Sequence, residues 1–232
     1  GGEQQRVALG RALAPEPKLV LLDEPFSALD IMLRSSLTDH LKMLQSKLEF
    51  PMLIVTHDIE EAYKLASELV LLEKGRVIQQ GDRATVFGSP NSPAAAKLVG
   101  YENLLLGKVI ANKDRDSIIE LDGCSVQLLD TIIPVGKEVI VGIRSEAIAV
   151  SHGKKANTGS GLNAEAKIID SIRIGAKVEL HLQVGSAHKN ATQLRATIVD
   201  SQQDLDLQPG SHCTLAVNSK YIHAWQVNPS VI

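Results

Sequence analysis

The sequence predicts an α/β segment followed by an all-β segment. Three observations carry this reading. Within residues 1–100, short apolar runs ending in polar residues alternate with stretches of helical periodicity. Beyond Tyr101 the long helical periodicity disappears, and short β-type runs recur with Gly107, Gly123, Gly136 and Gly142 between them. Between two sets of these runs lies HGKKANTGSG, residues 152–161, which is polar and glycine-rich and reads as an exposed linker.

The first segment opens with Gly1 and Gly2, then a predicted helix over 3–14 with Val7, Ala8, Leu9, Ala12 and Leu13 on its apolar face. Glycines at a helix start let an anion approach the backbone N–H groups. On this pair alone, a plain surface helix explains the pattern equally well. Pro15 and Pro17 end the helix. Residues 19–22, Leu-Val-Leu-Leu, show no alternation, so a strand buried on both faces of a parallel sheet is expected. Asp23 and Glu24 then fall at its carboxyl end, where open α/β sheets place ligands. Carboxylates also suit the start of a following helix.

A helix is expected over 31–48. Residues 51–58, Pro-Met-Leu-Ile-Val-Thr-His-Asp, repeat the strand logic and put His57 at a second strand end. A lone histidine is more often structural; its place after a second apolar run gives this one weight. A helix follows over 59–67, then strands over 68–73 and 76–80 joined at Lys74-Gly75. Gly81-Asp82 marks a turn, a short helix begins at Thr85, and Pro90 and Pro93 bound its far side.

In the second segment, strands are expected over 103–110, 117–121, 125–129, 138–144 and 147–150. A second set covers 164–172, 177–184, 192–198 and 212–219. Their spacing predicts a small barrel.

Composition narrows the function. A length of 232 residues suits two domains, and 44 % hydrophobic content suits a globular chain. A net charge of −3 gives no nucleic-acid footprint. No run is long and apolar enough for a membrane span, and no signal-peptide pattern is present. Cys124 and Cys213 lack metal spacing and read as reduced packing residues. His181, His188, His212 and His223 also lack ligand spacing and read as surface or edge residues.

Taken in order, four stretches resemble the second half of an ABC-transporter ATPase. They are Gly1-Gly2-Glu3, the run ending in Asp23-Glu24-Pro25, Phe26-Ser27-Ala28-Leu29-Asp30, and His57-Asp58. They are similar to the tail of the L-S-G-G-Q signature loop, with Glu3 in place of Gln, then the metal and water carboxylates, the D-loop and the switch histidine. The resemblance covers about the first 100 residues. It implies ATP and Mg²⁺ as cofactors, with Gly1, Gly2, Glu3 and Asp30 at the nucleotide. Asp23 would hold Mg²⁺ through a water, Glu24 would orient the attacking water, and His57 would bond the γ-phosphate. No G-x-x-x-x-G-K-[ST] phosphate loop and no Gln loop occur in the sequence. Residues 1–100 are therefore expected to be the C-terminal part of an ATPase domain, an incomplete P-loop NTPase sheet that does not bind ATP tightly alone.

Residues 101–232 resemble the accessory TOBE/Mop-like barrel of importer ATPases, an OB-like regulatory domain. Val141-Gly142-Ile143-Arg144-Ser145-Glu146 is similar to its I-R-P-E segment, with Ser145 in place of Pro. The stretches 194–198, 207–211 and 215–219 are similar to the molybdate-binding Mop fold. Ser160-Gly161-Leu162-Asn163 stands where that fold has S-A-R-N, and Ser219-Lys220 stands near its I-K-S, with Lys and Ser in the other order. Ser219 and Lys220 are thus the implied oxyanion residues, while a purely structural dimerising barrel stays equally open.

The resemblance implies the ATP-hydrolysing subunit of a bacterial ABC importer, with molybdate the favoured cargo. Sulfate, ferric iron, a polyamine or a sugar are alternative cargoes. A non-catalytic oxyanion-binding regulatory module is the rival from another class. The implied partners are a second ATPase subunit in a homodimer, integral-membrane permease subunits and, indirectly, a periplasmic or lipoprotein substrate-binding protein. The implied location is peripheral, on the cytoplasmic face of the inner membrane.

Overall fold

The computed structural model describes residues 2–151, 161–185, 191–199 and 207–227. The chain divides into two compact units, Gly1–Gly88 and Ser89–Ile232.

The first unit contains α1 (Gly2–Leu13), β1 (Val20–Asp23), α2 (Ile31–Leu48), β2 (Met52–Val55) and α3 (Ile59–Leu65). The hairpin β3 (Glu68–Glu73) and β4 (Arg76–Asp82) follows, then α4 (Arg83–Gly88). β1 and β2 pair in parallel from Val20↔Met52 to Asp23↔Val55, so their carboxyl ends lie side by side. Val20, Phe26, Leu29, Leu37, Leu41 and Phe50 form the buried core beneath them.

The expected burial on both faces holds for one face only. Successive side chains of a strand point to opposite sides. Val20, Leu22, Met52 and Ile54 pack on the core, while Leu21, Leu53 and Val55 are 67 %, 58 % and 54 % exposed. The β3–β4 hairpin forms its own sheet and does not extend the parallel pair. It turns at Lys74 and Gly75, both at positive φ (49° and 74°), which suits the twist of a two-residue hairpin.

The second unit contains α5 (Pro93–Leu98) and ten strands. These are β5 (Asn103–Lys113), β6 (Asp116–Leu121), β7 (Cys124–Leu128), β8 (Glu138–Ile143) and β9 (Ala149–Ser151), then β10 (Gly161–Ile174), β11 (Lys177–Val184), β12 (Thr192–Val199), β13 (His212–Asn218) and β14 (Ile222–Gln226). One sheet runs β12-β11-β10-β7-β6-β5-β8-β14, and β13 bridges β10 and β9. The fold class is therefore α/β followed by all-β. Residues before Tyr101 also join this unit: Ala95, Ala96 and Val99 are buried, and the Trp225 Nε1–H donates to the Pro90 carbonyl at 2.9 Å.

The two sets of strands do not form separate barrels in series. β10 pairs with β7 at Leu162↔Val126, β13 with β9, and β14 with β8. One core accordingly joins Val109, Ile119 and Val141 to Leu162, Leu180 and Leu215. Gly161, the last residue of the expected linker, is the first residue of β10. Its φ is 122°, and a Cβ there would collide with the Val217 carbonyl, so the position requires glycine. Residues 152–160 lie outside the described residues.

Asn103 ties the curled sheet across its open side. Its side chain is buried; Nδ2 donates to the carbonyls of Ile143 (3.1 Å) and Arg195 (2.9 Å), and Oδ1 accepts from the Arg195 N–H at 2.7 Å. The strand β12 is thereby joined to β5 and β8 by a side chain, without a ladder between them. Asn103→Ala would leave the backbone groups of Arg195 without these partners. We expect a loss of about 2–3 kcal/mol, the order of cost of a buried unpaired polar group. Urea unfolding followed by the fluorescence of Trp225, the single tryptophan and a β14 residue, measures it.

Candidate functional site

The site is built where β1 and β2 end. Asp23 is the last residue of β1 and is exposed. The next residue, Glu24, takes a left-handed conformation (φ 45°), uncommon for a residue with a Cβ. Three bonds hold it there. Its N–H donates to the Val55 carbonyl at 2.9 Å, and its carbonyl accepts from the Ser27 N–H (3.3 Å) and the Ser27 Oγ–H (3.0 Å). The turn carries the Glu24 carboxylate across to the end of β2, where the His57 Nδ1–H donates to Oε1 at 2.7 Å. The imidazole is 77 % exposed and the carboxylate 35 %.

The hydrogen bond from His57 to Glu24 and the charge of that carboxylate raise the His57 pKa; slight burial opposes this, Asp58 adds to it and Arg34 opposes it. A raised value in the folded chain means that the pair's contribution is complete below the ordinary imidazole range. It is lost as pH rises through the raised value.

A second layer lies under His57. Asp58 caps α3: its Oδ1 accepts from the N–H groups of Glu60 (2.9 Å) and Glu61 (3.0 Å). The Thr56 hydroxyl donates to Glu61 Oε2 at 2.8 Å and accepts from the Asp58 N–H at 3.0 Å. Arg34, on the first turn of α2, donates through Nη1 to Asp58 Oδ2 at 2.8 Å and through Nη2 to the Leu29 carbonyl at 3.3 Å. Burial alone would raise the Asp58 pKa. The Glu61 amide, the Arg34 guanidinium and the Glu60 amide outweigh it, and the pKa lies below the usual carboxylate range.

The other expected site residues fall as follows. Asp30 is the N-cap of α2 and accepts from the Leu33 N–H at 2.9 Å, so its side chain already has a structural task. Gly2 begins α1 and Glu3 is exposed in its first turn; Gly1 lies outside the described residues. α1 contributes Arg6, Leu9 and Ala12 to a groove shared with Leu21, Asp23 and Phe26.

Ser219 and Lys220 lie in the second unit, on a single 3-10 turn after β13. Ser219 is buried. The Lys220 backbone N–H donates to Asn218 Oδ1 at 3.1 Å, and its ammonium stands 4.7 Å from the Tyr221 ring centre. Ser160 lies outside the described residues, and Leu162 is a core residue. His223 is an edge residue on β14, an end of the sheet path; half-buried beside Tyr101 and Trp225, it has a pKa lowered by burial and by Arg144. Cys213 is buried and Cys124 packs against the same core; burial pushes both thiols up to about 11.

Among the described residues, no group of three or more His, Cys, Asp or Glu could cage a metal. A magnesium ion that keeps its waters and phosphate ligands needs only one or two protein carboxylates. Exposed Asp23 at the strand end fits that demand. Arg34, Thr56 and Glu61 were not singled out in the sequence, because only the packing of α3 against α2 brings them together.

A carboxylate just past the end of one parallel strand is thus joined to a histidine just past the end of the next. Over most of its length the chain is homologous to import ATP-binding proteins of ABC transporters. The molybdate/tungstate import ATP-binding protein WtpC of Pyrococcus abyssi is 34 % identical over 200 residues, covering 86 % of this chain and 56 % of the relative. WtpC of Pyrococcus horikoshii is 32 % identical over 226 residues, covering 97 % and 61 %. The Fe(3+) ions import ATP-binding protein FbpC 1 of Haemophilus influenzae is 39 % identical over 151 residues, covering 64 % and 44 %. The chain thus spans between 44 % and 61 % of the length of these relatives.

No family model matches the chain. Among solved structures, the molybdate-bound cytoplasmic molybdate-binding protein ModG covers 53 % of this chain and 95 % of its own. Its identity is 13 % and its TM-score 0.42, a likeness too slight to fix fold or ligand.

The geometry predicts an imidazole titration. In pH-dependent NMR, His57 should titrate above the ordinary histidine range, and Glu24→Gln should bring it down towards that range. His57 titrating at or below the ordinary range in the unmodified chain would contradict the pairing.

Proposed function

We propose that this chain is the C-terminal part of the ATP-hydrolysing subunit of an ABC importer, with molybdate as the favoured cargo. The observation that carries the hydrolytic reading is the 2.7 Å bond between Glu24 and His57 at adjoining strand ends. Asp23 would hold Mg²⁺ through water. Glu24 is placed to orient and polarise the attacking water for in-line transfer. The outer edge of the exposed His57 ring is open to a phosphate oxygen, and its partner Glu24 fixes the ring's orientation. Gly1, Gly2 and Glu3 of one subunit, with Asp30 beside the hydrolytic turn, would meet the nucleotide held by a second copy. A twofold homodimer follows from that reading.

The wider assembly is inferred from the relatives. They are import proteins, which supports permease subunits as direct partners and a substrate-binding protein as an indirect one. No helix among the described residues is long and apolar enough to cross a membrane. A peripheral place on the cytoplasmic face of the inner membrane fits this role. The names of the relatives favour molybdate or tungstate, and an iron-importing relative keeps that cargo as the second reading.

Two measurements test this. In the intact parent protein, Glu24→Gln should keep ATP binding while hydrolysis falls by ~100-fold or more, the scale of general-base catalysis. The 232-residue chain alone should show neither activity nor tight nucleotide binding. Near-normal turnover in that variant removes Glu24 from the role.

For the cargo, equilibrium dialysis of the chain should retain molybdate or tungstate in preference to sulfate, and Lys220→Ala should weaken retention without unfolding. A set of fixed N–H and hydroxyl donors can select one tetrahedral anion by size. No retention would leave the second unit as a dimerisation device and remove the support for molybdate.

A further inference from the structure

Arg34 stands outside the hydrolytic reading, yet it contacts residues that adjoin its parts in the chain, Leu29 before Asp30 and Asp58 after His57. It sits on α2 four residues after Asp30, and three acceptors face its guanidinium. Nη2 reaches the Leu29 carbonyl, in the loop that leads from Glu24 to α2. Nη1 reaches Asp58, the residue after His57 and the cap of α3. Nε lies 3.8 Å from Glu61 Oε1, beyond hydrogen-bond reach, and is a buried side-chain nitrogen without a hydrogen-bond partner. The Glu61 side chain is 5 % exposed and receives the Thr56 hydroxyl instead.

The geometry points to Arg34 as a positioning residue for the Glu24–His57 pair, coupling the 25–30 loop to the start of α3. The argument is mechanical. Glu24 and His57 come from segments 33 residues apart, and both are partly or largely exposed. The β1–β2 pairing fixes the backbone as far as Glu24 and Val55, but a single hydrogen bond between exposed side chains does not by itself hold the 25–30 loop and the start of α3 beyond it. The planar guanidinium, with donors in a fixed fork, can address the loop carbonyl and the Asp58 carboxylate together. Lysine carries the same charge on a compact head and cannot reproduce that fork. The unpaired Nε shows that the clamp is not saturated. This inference rests on the reading of Glu24 and His57 as the hydrolytic pair.

The charges facing His57 give the test its sign. They are Glu24 from the β1 end, Asp58 from α3 and Arg34 from α2. As a mere neighbouring cation, Arg34 disfavours imidazolium, so its loss would raise the His57 pKa. As a positioning residue, its loss releases Asp58 and the 25–30 loop, the bond to Glu24 opens, and the His57 pKa falls. The two roles thus predict shifts in opposite directions.

The experiment is NMR titration of the His57 imidazole in the 232-residue chain, its Arg34→Lys, Arg34→Met and Asp58→Asn variants, and Glu24→Gln as the reference for a broken pair. Arg34→Met and Arg34→Lys should both shift His57 downward, in the direction of Glu24→Gln. Asp58→Asn, which keeps a capping side chain, also lowers it, but loss of the Asp58 charge acts in that direction by itself, so the decision rests on the Arg34 variants. An unchanged or raised value in Arg34→Lys overturns the proposal. If Arg34→Met unfolds the first unit, Arg34→Lys decides alone, and unfolding of Arg34→Lys as well makes Arg34 a folding residue and overturns it. The readout needs no nucleotide, so its failure is separate from any failure of the ATPase reading, which the Glu24→Gln turnover assay addresses in the parent protein.

Discussion

The Glu24 amide donates to the carbonyl of Val55, and the geometry of the candidate site depends on that bond. It extends the parallel pairing of β1 and β2 by one residue beyond Asp23↔Val55. That extension forces the chain to turn at Glu24 itself, with φ at 45°. Without the turn, the carboxylate would follow the direction of β1. With it, the carboxylate crosses to the end of β2. A backbone conformation with a cost of roughly 1–3 kcal/mol is tolerated where surrounding bonds over-determine it. Here Ser27 supplies two of those bonds, and a small hydroxyl side chain at that position is what permits the second.

The second unit solves a different problem. A sheet assembled from ten strands leaves edges, and exposed edges invite pairing with other chains. Here β12 is an end of the sheet path. Polar side chains from elsewhere in the unit engage it: Asn103 at Arg195, and Ser145 at Thr197 at 3.1 Å. Thr192, at the start of β12, donates to the Asp122 carbonyl. Gly123 and Gly185 meet so closely that a Cβ on either would lie 2.8 Å from the other's Cα. The Ser145 hydroxyl has a physical task here, since it is the group that meets Thr197.

Much of the first unit was legible because its signals are local. An apolar run closed by Asp-Glu or Thr-His marks a strand end, and both strands end where these residues put them. The two-sided burial of β1 was not legible. Continuous Leu and Val residues record how apolar a strand is, and in this chain only the Val20 and Leu22 side is covered. The barrel strands were readable one by one, but their order was not. β14 lacks an apolar alternation, since Ile222-His223-Ala224-Trp225-Gln226 mixes sizes and polarities, and it is recognised only by its pairing with β8. Asn103 and Arg34 were missed for the same reason. Each acts on a partner 24 to 92 residues away, and nothing in the residues beside it announces that distance.

Exposure falls from the Glu24–His57 pair to the groups beneath it. The His57 side chain is 77 % exposed and Glu24 35 %, while Asp58 is 22 % exposed and Glu61 5 %. This order suits the roles proposed for them. A group that meets a phosphate has to reach solvent, where its own hydrogen bonds are weak and screened. A group that orients it works best where water does not compete. Burying Glu61 is tolerable because Thr56 donates to it and Arg34 lies beside it; an unpaired carboxylate there would be costly. The exposed pair therefore lies over less exposed bonds, the arrangement that a positioning role for Arg34 calls for.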